Sequence, residues 1–189
     1  MMKRLFLTIL LGLCMVNLVH AQLSKAEQLK YIRQLYALAK QKVAQNGKQA
    51  PDKHMELVLC NKDDGACPAT KEVVNFFFEE VREFYEPGMV LSGEGVYFMT
   101  RKYTCGDIDI YQEWLFDRED LGKPVFAYQC QQQNDGSQLE SRYYWGIGGL
   151  IEMKSNDRDA DAEGFAMLRY AQDFLEVFNK IANRNESEK

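Results

Sequence analysis

The chain is short of the residues that most enzyme chemistries need. Only two of its 189 residues are histidine, and His20 lies in the N-terminal apolar segment, which leaves His54 as the imidazole of the remainder. A serine or cysteine nucleophile needs a base within hydrogen-bond reach; no Gly-x-Ser-x-Gly elbow is present, and beyond the N-terminal segment His54 is the one imidazole. No Cys-x-x-Cys knuckle exists to start a zinc site. Positive charge is also scarce: 23 bases face 28 acids for a formal charge of −5, so no cationic field is available to hold nucleic acid. The one long apolar run, Leu5 to Val19, falls short of the roughly 20 residues that span a bilayer. At 46% hydrophobic and 27% charged, the composition is that of an ordinary folded domain. It excludes a disordered polymer, a collagen-like chain and a multi-span membrane protein, and the length suits one domain.

The N-terminus has a basic start at Lys3 and Arg4, the apolar run, and small residues around Val19-His20-Ala21. This pattern predicts a cleaved secretory signal over 1–21, with export to a bacterial periplasm or the cell exterior. A lipidation site at Cys14 is disfavoured because bulky Leu13 precedes it. Losing Lys3 and Arg4 from 23 bases leaves 21 against 28 acids, a mature charge of −7. The remaining chain reads as a single domain over 22–182 with a flexible tail over 183–189 and no membrane span.

Four cysteines remain after Cys14 is removed: Cys60, Cys67, Cys105 and Cys130. An even number in an oxidising compartment predicts two bridges. Cys60–Cys67 would close a short polar loop, and Cys105–Cys130 would staple neighbouring strands.

Ser24 and Glu27 have the spacing of a capping box. Leu29, Ile32, Leu35, Tyr36, Ala39 and Val43 then recur at helical spacing up to the Asn46-Gly47 stop. Met55, Leu57 and Leu59 alternate as in a strand. Over residues 70–86 the charge placement favours a helix, with Val74, Phe77, Phe78, Val81, Phe84 and Tyr85 on one side, although the run Val73 to Phe78 also suits a buried strand. From Gly95 to Lys154 the texture has period two, and turn residues divide it into strands at 96–103, 108–116, 124–132, 139–146 and 150–154. A last amphipathic helix carries Phe165, Leu168, Ala171, Phe174, Leu175 and Phe178. The expected fold is α+β: an antiparallel meander of five to six strands with the terminal helices packed on one face.

Three local features are weighed as sites. Asp157, Asp159 and Asp161 alternate like the start of a calcium loop, but Ala162 and Leu168 stand where glycine and a bidentate acid belong. An acidic helix entry explains them better. The glycines at 146, 148 and 149 lie between two strand patterns and suit a hairpin turn rather than a phosphate loop. Glu113 beside Trp114 has the residue types of a glycosidase, which needs a second carboxylate such as Asp109 or Glu140.

The sheet itself is more informative. Val96, Phe98, Ile108, Ile110, Trp114, Phe116, Phe126 and Tyr128 are expected to form the core face. The open face then carries Tyr97, Met99, Arg101, Tyr103, Asp109, Tyr111, Glu113, Gln129, Arg142 and Tyr144. Tyrosine and arginine mixed in this way are enriched where proteins hold partners, and they also occur as ordinary cross-strand pairs. Tyr97, Arg101, Tyr111, Glu113, Arg142 and Tyr144 are the candidate binding residues. No catalytic residue, metal ligand or cofactor is assigned. The sequence therefore reads as an exported, non-catalytic binding module for a protein, an envelope component or a small ligand. A carboxylate-dependent hydrolase of envelope sugars and a self-associating structural protein are the alternatives.

Overall fold

Ser24 and Glu27 close the box their spacing predicts. The Ser24 amide donates to Glu27 Oε2 at 2.8 Å and the Glu27 amide donates to Ser24 Oγ at 3.3 Å. Helix α1 accordingly runs from Lys25 to Gln45. A computed structural model describes residues 23–45, 53–61, 70–86, 89–117, 123–146, 148–158 and 160–187 of the chain. The signal segment expected over 1–21 lies outside these residues.

Among the described residues seven strands follow α1: β1 (His54–Asn61), β2 (Thr70–Glu86), β3 (Met89–Cys105), β4 (Ile108–Phe116), β5 (Pro124–Gln132), β6 (Gln138–Gly146) and β7 (Gly149–Ser155). Each pairs antiparallel with the next in a single sheet of order β1 to β7. Turn chemistry sets the boundaries. Gly106 and Gly136 adopt positive φ of 59° and 82°, as tight reversals demand, and Asp135 accepts the Ser137 amide at 2.8 Å. Helix α2 (Ala160–Ser187) is the last element among the described residues. It stays helical from Asn183 to Ser187, where the polar composition predicts a frayed end.

Residues 70–86 form strand β2 and not the helix their charge placement predicts. Over residues 70–77 the strand lies between β1 and β3, so that half of its backbone is paired on both sides. Val74 and Phe76 are fully buried on one face, while Phe77 packs with the cluster on the other. A strand covered on both faces loses the alternation that identifies it in sequence.

The two helices flank the sheet on opposite faces and do not share one. Leu29, Ile32 and Ala39 of α1 pack with Phe98, Leu115, Phe126 and Tyr144. Met167, Ala171, Phe174 and Phe178 of α2 pack with Val74, Phe76, Met99, Trp114, Ala127 and Tyr143. The register explains the division. Phe98 lies opposite Leu115 and Met99 opposite Trp114, while Leu115 faces Phe126 and Trp114 faces Ala127. Relative to the expected core face, β4 and β6 are out of phase with β3 and β5 by one residue, which exchanges every side chain of those strands. On α2, Phe165 is 80% exposed and Met167 occupies the buried position.

Cys60, Cys105 and Cys130 carry free thiols. Cys105 lies opposite Ile108 and Cys130 opposite Tyr111, on the two strands that flank β4. Two strand spacings hold their Cα atoms about 10 Å apart or more, beyond the roughly 7 Å a disulfide can span. The expected Cys105–Cys130 staple is therefore excluded by the meander order. Cys67 lies outside the described residues.

Candidate functional site

Helix α1 crosses its face of the sheet with cations that reach down to carboxylates on the strands. Arg33 Nη2 meets Glu152 Oε2 of β7 at 3.2 Å, Lys40 Nζ meets Glu113 Oε1 of β4 at 2.6 Å, and Lys42 Nζ meets Glu79 Oε2 of β2 at 3.0 Å. Between the helix and the middle strands opens a cleft of about 390 Å³. Its wall is Arg33, Tyr36 and Lys40, whose spacings of three and four residues put them on one side of α1. Its floor is Glu113 of β4, Phe126 and Tyr128 of β5, and Arg142 and Tyr144 of β6.

The floor is aromatic, and its rings pack closely at a tilt. The Tyr36 and Phe126 rings lie 4.8 Å apart between centroids, and Phe126 lies 5.0 Å from Tyr144. Guanidinium groups cover two of the tyrosines, Arg33 at 5.6 Å from the Tyr144 centroid and Arg142 at 5.1 Å from that of Tyr128. Arg142 also donates to Glu140 at 2.9 Å, which accepts the Tyr128 hydroxyl as well.

Glu113 is 2% exposed. A carboxylate so buried has to be met by donors, and three are in place. The Tyr36 hydroxyl donates to Oε2 at 2.5 Å, and the Tyr111 hydroxyl at 2.7 Å joins Lys40 Nζ on Oε1. Burial, and then the hydrogen bond to Glu113, raise the Tyr36 and Tyr111 hydroxyls far above the ordinary tyrosine range. Both stay protonated donors at neutral pH, as does Tyr128, raised by burial and by its bond to Glu140.

Of the six binding residues expected from sequence, Glu113, Arg142 and Tyr144 line the cleft. Tyr111 lies beneath it through Glu113, and Tyr97 stands beside it under Lys42 Nζ, 5.0 Å from the ring centroid. Arg101 is on the other face of the sheet. There its guanidinium donates to both Glu72 oxygens at 2.8 and 2.9 Å and to Gln112 at 3.2 Å. It also stacks within 4.1 to 5.3 Å of Tyr103, Tyr170 and Phe174. Gln112, Gln129 and Glu163 continue this buried polar chain under α2.

Arg33, Tyr36, Lys40, Phe126 and Tyr128 were missed by sequence reasoning. The spacing along α1 was visible, but nothing in it says which face of the sheet the helix covers.

The arrangement can bind a flat body and position polar groups at its rim. Glycoside hydrolysis needs two carboxyl groups roughly 5 to 10 Å apart across the scissile bond. Among the described residues Glu113 is the single carboxylate lining the cleft, and its oxygens are held by three donors. Among the described residues no three of His, Cys, Asp and Glu gather as a metal site. Asp161 sits in the first turn of α2, and Asp159 lies outside the described residues. No helix among the described residues is long and apolar enough to cross a membrane. Comparison with known proteins gives no match to a family model, a curated protein or a solved structure.

Proposed function

We propose that this chain is an exported binding module whose cleft between α1 and the sheet receives a small ligand without transforming it. The observation that carries this reading is the cleft itself: about 390 Å³, lined by aromatic rings packed at a tilt and rimmed by a few fixed charges. Ligand pockets in general are concave, mostly apolar and provided with a small number of placed polar groups, and they start at about 300 Å³. The signal-like N-terminus supports export and the placement in a bacterial envelope. A cleft of this size favours a small ligand over a protein partner, which would need a broad exposed surface.

The test uses N-phenyl-1-naphthylamine, a neutral aromatic dye that fluoresces when removed from water. The protein processed by its exporting cell should give a saturable one-to-one enhancement. Tyr128→Ala, which removes a floor ring, should weaken binding several-fold, and Tyr128→Phe, which keeps the ring, should retain it. An enhancement that never saturates, or equal binding by a folded Tyr128→Ala protein, would remove the cleft as the binding site.

A further inference from the structure

The two arginines at the cleft mouth carry an inference about the ligand, which rests on the binding function proposed above. We propose that the cleft selects an anion: a carboxylate-, phosphate- or sulfonate-type head joined to a planar ring body. The head lies between Arg33 and Arg142, and the ring body lies in the cleft against the side of Tyr36 and the edges of Phe126, Tyr128 and Tyr144.

Donor accounting leads to this assignment. Three cations line the cleft against one carboxylate, and that carboxylate is already met by Lys40 and two tyrosine hydroxyls. Lys40 and Glu113 therefore answer each other, and neither is left to choose a ligand. Arg33 and Arg142 differ. Each gives one terminal nitrogen, Nη2, to a rim carboxylate, Glu152 and Glu140 respectively. A guanidinium has five N–H donors in a rigid fork, so the greater part of each fork has no acceptor among the described residues. Carboxylate, phosphate and sulfonate groups supply the paired oxygens that such forks accept.

The forks are also held in place. Each lies over a tyrosine ring that belongs to the cleft floor. Cation–π contact fixes a guanidinium above the ring without using its in-plane donors. A cationic ligand would find the one lining carboxylate already held by three donors and would face the open N–H groups of both forks. A neutral ring would fill the floor and leave both forks facing water. The anion answers both parts of the site.

A matched pair of dyes tests the assignment: N-phenyl-1-naphthylamine and 1-anilinonaphthalene-8-sulfonate share one ring frame and differ in the sulfonate. The sulfonate should bind about tenfold more tightly than the neutral dye, as a charge-assisted contact predicts. Arg33→Gln with Arg142→Gln should remove that advantage, read as the ratio of the two dyes' affinities for the same variant. Arg33→Gln alone, on the outer side of a helix, provides a variant whose folding is not at risk and should remove part of the advantage. Equal binding of the two dyes by the parent protein, or an advantage that survives both substitutions, would overturn the anion assignment while leaving the binding cleft standing. Failure of both dyes to bind would instead defeat the binding function, and this inference with it.

Discussion

Glu113 and Arg101 are both buried on the middle strands, yet they face opposite helices and are held in different ways. Glu113 accepts from two tyrosine hydroxyls and from Lys40, whose side chain is 44% exposed. Glu113→Gln keeps an acceptor for the tyrosines and releases a lysine that water can solvate. The expected cost is about 2 kcal/mol, that of a charge-assisted hydrogen bond. Arg101 leaves no such escape. Its side chain and that of Glu72 are only 11% and 18% exposed, and its guanidinium fills the space between Tyr103, Tyr170 and Phe174. Arg101→Ala strands a carboxylate, deprives Gln112 of a donor and opens a hole, for a loss of about 3 to 5 kcal/mol. Urea denaturation of the two variants gives the ranking. A smaller loss for Arg101→Ala than for Glu113→Gln would mean that the Glu72–Arg101 pair does not secure the sheet to α2.

The same asymmetry recurs between the helices. On α1 each ion pair places the cation on the helix and the carboxylate on the sheet, at Arg33–Glu152, Lys40–Glu113 and Lys42–Glu79. The apolar anchor beneath is short: Leu29, Ile32 and Ala39. Helix α2 buries Met167, Ala171, Phe174 and Phe178. Its backbone also accepts the Trp114 indole N–H at Met167 and the Tyr143 hydroxyl at Ala160, both at 2.9 Å. Arg33–Glu152 and Lys42–Glu79 are open to solvent, and such pairs are screened almost to contact when the Debye length falls to about 3 Å in 1 M salt, whereas Lys40–Glu113 is shielded by the burial of Glu113. Backbone amides of α1 are therefore expected to exchange faster than those of α2, and to gain speed in high salt while α2 holds steady. Equal salt response in both helices would refute electrostatic docking of α1. The sequence announced α1 well, because its capping box and spacing are local. It also announced β4 and β5 to the residue, because turn chemistry brackets them. It misled at β2, where two covered faces erase the alternation, and at Phe165, which helical spacing alone cannot separate from Met167.

For the whole molecule, what escaped the sequence is the phase of one strand against the next. The alternation within β3, β4 and β5 is plain, but the pairing of Phe98 with Leu115 rather than with Trp114 is a property of two strands together. That choice puts Glu113 under α1 and Arg101 under α2, and the pairing of Phe126 with Tyr144 and of Tyr128 with Arg142 brings those two β6 residues under α1 as well. It also makes both faces interior and replaces an open binding face with a cleft at the edge of a helix. With both faces covered, tyrosines are enclosed on each side of the sheet. Burial and neighbouring carboxylates raise Tyr36, Tyr111 and Tyr128 under α1. Under α2, Tyr143 is pushed up from 10.0 to about 12, by burial and then by Glu163 against a lowering contact with Ser141. A tyrosine whose folded value is raised keeps its proton in the native state after the unfolded chain has lost it. Its contribution is complete below the ordinary value of 10.0 and is lost as pH climbs through the folded value, about 12 for Tyr143. Stability to urea should therefore be insensitive to these groups near neutrality and fall steeply above pH 10. In the same interval, tyrosinate absorbance of the folded protein should lag behind that of the urea-unfolded chain, then catch up as the fold opens. If the folded and unfolded absorbance curves coincide throughout, the tyrosines are not enclosed and the two-sided sandwich is wrong. If the lag is present and Glu113→Gln shortens it, the carboxylate beneath α1 is among the groups that hold those protons.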